Sequence, residues 1–332
     1  GGSIMPTIQN VAKKAGVSVA TVSRVLNTPS AVTEKTRQKV QDAMQELDYA
    51  PSILGRNLRN SDSSMLLVLI PKISNPFYLR IVEGIEETAL DHGYNILVCQ
   101  THSKTERESV YFDLLKNRLA DGAITMDPTI DKDKLVQLAR HFPIVQCSEY
   151  DKDKSLSYIT IDSELAAYQM TKFLLKQGHK RIVLINSDEK FLYARERKKG
   201  FHRALKEFEI EFEDDWIYKT NDVTFEAGQQ AMRSLLSHKA GKFTAVFAVS
   251  DVLAIGALKE LNTQGVHVPD EMAIVGFDKI DFTNMTFPRL TTVAQPMYKM
   301  GSIAVDMLIK KIRGEEIEDV ILDHELIIRE ST

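Results

Sequence analysis

The sequence is poor in cysteine and has no long hydrophobic run. Its 332 residues include two cysteines, Cys99 and Cys147, which lie in apolar, strand-like stretches without the spacing of a metal site or a redox pair. We therefore expect two buried thiols in a reducing compartment. No apolar stretch approaches the roughly 20 residues that a membrane-spanning helix requires, and no signal peptide is recognisable. These absences predict a soluble, cytoplasmic protein without a membrane partner.

Sequence signatures of catalysis are also missing. There is no nucleophile elbow, no glycine-rich phosphate loop and no HExxH pair, and the eight histidines are scattered. The apolar content of 43% and the charged content of 27% are ordinary for a globular protein. We predict a chain that is not an enzyme and that needs neither a cofactor nor a metal.

The beginning of the chain carries the pattern of two short helices joined by a tight turn. Val11, Ala12 and Ala15 recur at helical spacing, and Gly16 then interrupts it. A glycine at this point adopts the positive φ that such a turn demands. Ser18 is the expected N-cap of the second helix, because its hydroxyl accepts a bond from an otherwise unpaired amide.

The second helix is predicted to expose a face suited to a DNA groove. Val22, Val25 and Leu26 form its apolar stripe, so the other side chains lie outside. That outer face has no acid and consists of short side chains and one arginine, which lets the helix backbone approach base edges in the major groove. An ordinary helical pair with solvated Ser and Thr is the alternative. The predicted DNA-binding residues of this helix and its cap are Ser18, Val19, Ala20, Thr21, Ser23, Arg24 and Asn27.

A third helix and the charge balance support the DNA interpretation. Thr33 is its expected N-cap, and Val40, Met44 and Leu47 continue at helical spacing. Residues 5–60 hold eight Lys and Arg against four Asp and Glu, a formal charge of +4. Because the whole chain carries −4, the remainder carries −8. A basic head on an acidic body is expected when only one end of a protein meets phosphate.

The stretch Thr7–Asn27 resembles the DNA-binding head of the LacI/GalR (lactose and galactose repressor) family, and the similarity extends over nearly the whole chain. The resemblance implies a dimeric transcription factor, usually a repressor, that a small metabolite controls. It implies that bases are read at Val19, Ala20 and Arg24. It implies that the DNA backbone is held at Ser18, Ser23 and Asn27. Asn10 stands where the family usually has Asp, and either residue is suited to cap the first helix.

Residues 51–62 are predicted to join the head to the rest of the chain. Pro51 ends the third helix, since the residue before a proline avoids the helical region. The segment after it has helical potential that Gly55 lowers by about 1 kcal/mol relative to alanine. The resemblance implies a hinge helix that folds on the operator, pairs with its dimer mate and wedges Leu58 into the minor groove, with Arg56 beside it. A plain flexible linker is the alternative.

From residue 63 onward, predicted strands and helices alternate. The strands are continuous apolar runs, as strands buried on both faces require. They are Met65–Ile70, Asn95–Gln100, Gly122–Thr125, Ile144–Cys147, Tyr158–Ile161, Arg181–Ile185, Trp216–Tyr218, Ala245–Val249, Ala273–Phe277, Val320–Leu322 and Leu326–Arg329. The helices between them are Tyr78–His92, Arg107–Arg118, Lys132–Arg140, Leu165–Lys176, Ala194–Phe208, Phe225–Leu236, Val252–Thr263 and Met297–Ile312. This alternation predicts two doubly wound βαβ sheets.

The predicted architecture is a small all-α helix-turn-helix head followed by an α/β body of two doubly wound parallel-sheet lobes, similar to periplasmic binding proteins. The head covers residues 5–50, the hinge 51–62 and the body 63–332. The resemblance implies that the chain crosses three times between the lobes. The first lobe then comprises about 63–162 and part of 293–320, and the second about 163–292 and 321–332.

Polar residues that follow the predicted strands mark a cleft between the lobes, because doubly wound sheets bind ligands beyond the carboxyl ends of their strands. The resemblance implies that Arg197 clamps an effector and that Asp278 accepts its hydroxyl or amine groups. The expected effector-binding residues are Asn75, Phe77, Ser148, Tyr193, Arg197, Ser250, Asp278 and Gln295. Val223 stands where sugar- and purine-binding members often have an aromatic residue, which weakens the expectation of a stacked ring.

Four acids are expected at this cleft, namely Asp162, Asp188, Asp251 and Asp278. Such carboxylates suit a metal or hydrolytic site, but in a binding cleft they equally accept hydroxyl donors from a polyol, which we favour.

Three functions remain open from the sequence. The first is a homodimeric repressor that reads a pseudo-palindromic double-stranded operator and is gated by a sugar-like or nucleoside-like effector, acting as inducer or as co-repressor. The second is a related regulator controlled by a protein co-repressor. The third is a solute-binding or sugar-processing protein with an incidental head. The basic head and the missing export signal argue against the third.

Overall fold

The structure is a computed structural model that describes residues 6–49, 63–127, 129, 131–151, 156–211, 213–239 and 243–332. The predicted hinge segment, with Arg56 and Leu58, lies outside the described residues. The chain forms two separate units, one ending at Ser63 and the other comprising Ser64–Thr332. Each unit is described by itself below.

The first unit is a small helical head built around one apolar core. Its helices are α1 (Ile8–Ala15), α2 (Val19–Asn27) and α3 (Glu34–Glu46), with a short 3-10 turn at Pro29–Ala31. The buried core consists of Val11, Ala12, Val22, Val25, Val40 and Ala43. These side chains recur at helical spacing in all three helices, so each helix turns one face inward.

The caps of the first two helices fix the turn between them. Gly16 has φ 66°, the left-handed conformation that the sequence predicts there. Ser18 Oγ accepts a hydrogen bond of 3.1 Å from the Thr21 amide, so the predicted N-cap of α2 is present. The cap of α1 differs from the prediction, because Thr7 occupies the N-cap position. Asn10 lies three residues further on and accepts a 2.8 Å bond from the Thr7 amide, which completes a capping box.

The second unit contains two six-stranded sheets. The strands of the first sheet, in spatial order, are β11 (Val320–Leu322), β5 (Tyr158–Ile161), β4 (Ile144–Cys147), β3 (Gly122–Thr125), β1 (Met65–Ile70) and β2 (Asn95–Gln100). Those of the second are β12 (Glu325–Ile327), β10 (Thr291–Ala294), β9 (Ala273–Asp278), β8 (Ala245–Ala248), β6 (Ile182–Asn186) and β7 (Ile217–Lys219). All of these strand pairs are parallel except β10 with β12. The predicted doubly wound, parallel-sheet fold is therefore confirmed.

Helices cover the faces of the sheets, and the central strands are buried. The helices are α4 (Pro76–Asp91), α5 (Thr105–Lys116), α6 (Lys132–Ala139), α7 (Ser163–Lys176), α8 (Leu192–Glu207), α9 (Phe225–Lys239), α10 (Asp251–Thr263) and α11 (Met297–Ile312). Both cysteines are buried, as the sequence predicts. Within the described part of the chain, no helix is long and apolar enough to cross a membrane.

One strand was not predicted from the sequence. The strand β10 contains Thr291 and Thr292, whose polarity hides it among apolar runs, yet both residues are fully buried. The Thr292 hydroxyl donates to the Asp251 carboxylate at 2.6 Å, so its polar group is satisfied inside the protein. A hydroxyl whose partner is distant in the sequence leaves no local signal of burial.

The chain passes between the two sheets three times, after Ile161, Ala294 and Leu322. Two lobe boundaries lie a few residues from the expected positions. Residues 293–294 belong to the second lobe, because Val293 pairs with Phe277. Residues 321–322 belong to the first lobe, because β11 pairs with β5. Strand pairing sets these boundaries, and it is not visible in the periodicity of the sequence.

Candidate functional site

A cavity of about 390 Å³ lies between the two lobes, at the carboxyl ends of their strands. Five residues at these strand ends have positive φ although none is glycine, which is uncommon for such residues. They are His102, Ser103, Ser148, Asp278 and Lys279. Strained backbone of this kind clusters at ligand sites, because it directs side chains and peptide groups into the site.

The floor of this cleft is a buried arginine. Arg197, on the second turn of α8, has only 4% of its surface exposed. Its Nη1 lies 3.6 Å from Asp278 Oδ1 and donates to the backbone carbonyl of Val249. The guanidinium carbon lies 3.5 Å from the centroid of the Phe277 ring, so the plane stacks on an aromatic face. Its Nε has no hydrogen-bond partner among the described residues.

Asp278 is the acceptor that faces this arginine. Gln295 Nε2 donates to Asp278 Oδ1 at 2.7 Å, and both residues are buried. Burial raises the pKa of Asp278, whereas Arg197 and the Gln295 hydrogen bond act to lower it. Burial likewise lowers the pKa of Arg197, opposed by Asp278. The pair therefore sits in a dry environment in which hydrogen bonds to a ligand are strong.

The eight predicted effector-binding residues occupy different layers of the cleft. Seven of them line the cavity directly: Asn75, Phe77, Ser148, Tyr193, Arg197, Ser250 and Asp278. Gln295 does not line it and acts on it through Asp278. Two of the seven also cap helices, since Asn75 Oδ1 accepts from the Phe77 amide at 3.1 Å and Ser250 Oγ accepts from the Leu253 amide at 3.3 Å.

Aromatic rings from both lobes form the walls of the cavity. Phe77 and Tyr78 come from the first lobe, and Phe191 and Tyr193 from the second. The rings of Phe191 and Tyr193 are stacked, with centroids 5.7 Å apart. Val223 lines the cavity where the sequence lacks an aromatic residue, so the walls are aromatic at other positions.

The four acids singled out in the sequence do not form one cluster, although Asp251 and Asp278 lie close enough to interact. Asp188 and Asp278 line the cavity. Asp162 caps α7 by accepting from the Leu165 amide at 2.8 Å. Asp251 is fully buried and accepts from the Ile280 amide at 2.9 Å and from Thr292. Among the described residues, no group of three or more His, Cys, Asp or Glu is placed to hold a metal.

Charged residues at the mouth of the cavity were missed by the sequence interpretation. They are Lys72, Lys104, Lys190 and Asp222. Lys72 Nζ of the first lobe bonds Asp222 Oδ2 of the second lobe at 2.7 Å, across the opening. All four follow strands of the two sheets, which is the signal that finds them. Phe191, which also follows a strand, was likewise missed although the same signal was present.

In the head, α2 exposes the face predicted to read DNA. Ser18, Val19, Ala20, Arg24 and Asn27 are exposed, and Thr21 and Ser23 are half-buried. The Asn27 side chain donates to the Ser23 carbonyl at 2.9 Å. The helix contains no acidic residue, so nothing on its own surface repels phosphate.

Comparisons with known proteins agree with both parts of the fold. Residues 7–52 match the family model described as bacterial regulatory proteins, lacI family. Residues 63–330 match periplasmic binding proteins and sugar binding domain of LacI family. The chain is 38% identical over 329 residues to the HTH-type transcriptional repressor CytR of Escherichia coli (strain K12), with 98% of this chain and 96% of that protein covered.

Solved structures give the same result. The lac repressor dimer bound to operator and the anti-inducer ONPF is similar with a TM-score of 0.85 and 26% identity, covering 99% of both chains. The complex of the transcriptional regulator CelR with cellobiose has a TM-score of 0.74 and 30% identity, covering 98% of this chain and 100% of that one. The chain therefore belongs to the LacI family and is a DNA-binding transcriptional regulator, not an enzyme.

Proposed function

We propose that the protein is a homodimeric repressor whose affinity for a pseudo-palindromic operator is set by a small, hydroxyl-rich metabolite bound between the two lobes. The observation that carries the proposal is the buried Arg197, which lies 3.6 Å from Asp278 and lines the interlobe cavity. A ligand that accepts from this guanidinium forms a charge-assisted hydrogen bond in a site shielded from water, which favours binding there.

The chemistry of the cavity selects the class of metabolite. Arg197 donates, Asp278 accepts, and the hydroxyl groups of Ser148 and Ser250 are capable of both. Aromatic rings from both lobes, Phe77 and Tyr193 among them, suit the apolar faces of a ring. A volume of about 390 Å³ admits a sugar or a nucleoside. The similar regulator CelR was solved as a complex with cellobiose, which is a sugar.

Operator reading is assigned to the exposed face of α2. We infer that Val19, Ala20 and Arg24 contact base edges and that Ser18, Ser23 and Asn27 hold the phosphates, with Thr21 on the same DNA-facing side of the helix. Leu58, with Arg56 beside it, is proposed to wedge the minor groove between the two half-sites. Two copies of α2 in successive major grooves require a dimer and a palindromic site.

An exposed apolar loop is the proposed dimer contact within the body. Phe282, Met285 and Phe287 expose 46%, 76% and 91% of their surface. Three large apolar side chains so close in the sequence are unusual on a monomer surface. A second copy of the chain would remove them from water, which favours association through this loop.

Operator selection tests the proposal. The purified full-length protein is mixed with a random pool of duplexes at low salt, and bound DNA is sequenced. We expect an enriched pseudo-palindrome, and we expect addition of a metabolite mixture to strengthen or abolish the enrichment in wild type but not in Arg197→Ala. Enrichment that responds to a cell protein fraction and not to metabolites would indicate a protein co-repressor instead. No enrichment under any of these conditions would overturn operator reading.

A further inference from the structure

The helix that carries two effector-site residues begins without a cap of its own. Tyr193 and Arg197 both lie on α8, whose N-cap residue is Phe191. A phenylalanine side chain accepts no hydrogen bond, and the first turn of α8 contains no acid. The first amides of a helix have no partner within the helix. A buried helix start of this kind needs an acceptor from elsewhere in the molecule.

The acceptor is a carboxylate of the other lobe. Glu149 follows β4 of the first sheet, whereas α8 belongs to the second lobe. Each carboxylate oxygen of Glu149 accepts from a different amide: Oε2 accepts from the Leu192 amide at 2.8 Å, and Oε1 accepts from the Tyr193 amide at 2.8 Å. Glu149 is 7% exposed. The helix dipole places partial positive charge at this end, which adds to the attraction for a carboxylate.

This contact differs from the Lys72–Asp222 ion pair, which also joins the two lobes. Lys72 and Asp222 meet at the mouth of the cleft, where their side chains are 32% and 59% exposed. An exposed ion pair contributes at most about 1 kcal/mol. The Glu149 bonds are shielded from water, and while the carboxylate is ionised they are stronger than hydrogen bonds between neutral groups. The two bonds also fix the orientation of the helix start relative to the carboxylate, since its two oxygens accept from two successive amides.

We propose that Glu149 is a positioning residue for the effector site: it caps α8 from the opposite lobe and thereby holds Tyr193 and Arg197 in register with the first lobe when the lobes close. The inference rests on the proposed function only in treating Tyr193 and Arg197 as effector-binding residues. When the lobes separate, the amides of Leu192 and Tyr193 lose this acceptor. Closure of the lobes and capping of the first amides of α8 therefore occur together.

The electrostatic surroundings of Glu149 make this event depend on pH. Burial and the nearby Asp127 raise the pKa of Glu149, and the two amide bonds and Arg197 lower it, with a result of about 7 against an ordinary 4.5. The phenol groups that face it are Tyr78, Tyr150 and Tyr193. Opening the lobes hydrates the carboxylate and returns its pKa toward 4.5. The closed form then holds a proton that the open form has lost.

The direction of the pH dependence of lobe closure follows from proton linkage. Between pH 4.5 and about 7 the closed form binds more protons than the open form, so closure becomes less favourable as the pH rises through this window. The change is at most about tenfold in the closing equilibrium for each pH unit. Above pH 7 both forms carry the charge and the dependence ends. The neutral carboxyl still accepts from one amide, so protonation does not remove the cap.

Hydrogen–deuterium exchange of the full-length, effector-free protein tests the proposal. The reporter is the peptide spanning residues 190–196, compared with peptides from α4 and α7, and protection factors are corrected for intrinsic exchange at pH 5.5, 6.5 and 7.5. In wild type we expect protection of the reporter to fall over this range. Glu149→Ala should lower it at least tenfold at all three pH values, with protection in α4 unchanged.

Two further variants separate positioning from a general loss of stability. Glu149→Gln retains one carbonyl acceptor and carries no charge, so we expect intermediate protection and no pH dependence. Glu108→Gln is the matched control, because Glu108 is a buried acid of the same lobe whose carboxylate accepts from Thr129 of that lobe. It should keep the protection of the reporter. Wild-type protection in Glu149→Ala, a pH profile retained in Glu149→Gln, or an equal loss in Glu108→Gln would each overturn the proposal.

The readout needs neither operator nor effector. A failure to find an operator therefore leaves the exchange result intact, and a negative exchange result leaves operator reading intact. If Glu149→Ala does not fold, the pH profile of Glu149→Gln against wild type still decides the question.

Discussion

Arg197 stacks its guanidinium 3.5 Å above the Phe277 ring and holds Nη1 3.6 Å from Asp278 Oδ1. The aromatic residue and the acid are adjacent in β9, so one strand supplies both the surface that orients the arginine and the charge that balances it. Stacking on Phe277 requires a planar, delocalised cation. Binding Asp278 together with other acceptors requires a side chain with several donors.

Replacement of Arg197 by lysine should remove both roles while keeping the charge. Lysine has no plane to stack on Phe277 and lacks the fixed fork of several donors that a guanidinium presents. We expect the concentration of effector that gives half-maximal response to rise at least tenfold, with operator binding in the absence of effector unchanged. Arg195→Lys, two residues away on the exposed side of α8, is the control and should respond like wild type. The measurement is operator binding by fluorescence anisotropy during effector titration, and a normal response of Arg197→Lys would remove this residue from the site.

Arg24→Ala should reduce operator preference. Arg24 is exposed on α2 and, as a base-reading residue, contributes about 1–3 kcal/mol of discrimination. We expect roughly 10- to 100-fold weaker binding to the selected operator and a smaller loss on unrelated DNA. Lys39→Ala on the exposed side of α3 serves as the comparison for a simple loss of charge. Equal losses on both DNAs would assign Arg24 to phosphate contact alone.

Leu58→Ala should separate specific from nonspecific binding. A leucine wedge unstacks one base step and helps bend the operator, and a nonspecific duplex gains nothing from it. We expect operator affinity to fall at least tenfold and affinity for random-sequence DNA to stay within about twofold of wild type. Gel-shift titrations on both duplexes at one salt concentration measure this. Parallel losses on the two duplexes would argue for a plain linker.

Phe287→Ser should weaken dimer formation. Phe287 exposes 91% of its surface within one protomer, so its replacement leaves the protomer core intact. Sedimentation equilibrium should show a dissociation constant raised at least tenfold, and a double change with Met285→Ser should raise it further. Val110→Ser alters an apolar residue of the first lobe that is 63% exposed and is the control. An unchanged dimer in the double variant would place the interface elsewhere.

Gly84→Ala should destabilise the body. A Cβ at Gly84 would lie 2.1 Å from the backbone oxygen of Tyr298, where α4 and α11 pack backbone against backbone. Neither backbone is free to yield, so we expect a loss of about 1–3 kcal/mol in the free energy of unfolding. Glu86→Ala on the exposed side of α4 should change it little. Urea denaturation followed by circular dichroism makes the comparison, and a wild-type midpoint for Gly84→Ala would show that the helices are able to separate.

Much of the fold was accessible from the sequence because its signals are local. The turn at Gly16 and the cap at Ser18 depend on neighbouring residues, and both occur as predicted. Buried parallel strands such as β1 are continuous apolar runs, which identifies them without knowledge of their partners. In the cleft, residues that directly follow strands were found by the same logic, as Ser148 illustrates.

The sequence by itself determined the helical head, the alternation of strands and helices and the strand ends that line the interlobe cavity, because periodicity, capping and chain order encode them. Only the tertiary structure decided that β10 is a buried strand, that Phe191 walls the cleft and that Glu149 caps α8. Each of these depends on a partner far along the chain. Burial of Thr292 is tolerable only because Asp251, 41 residues away, accepts a hydrogen bond from its hydroxyl, and α8 starts without a local cap only because the other lobe supplies one.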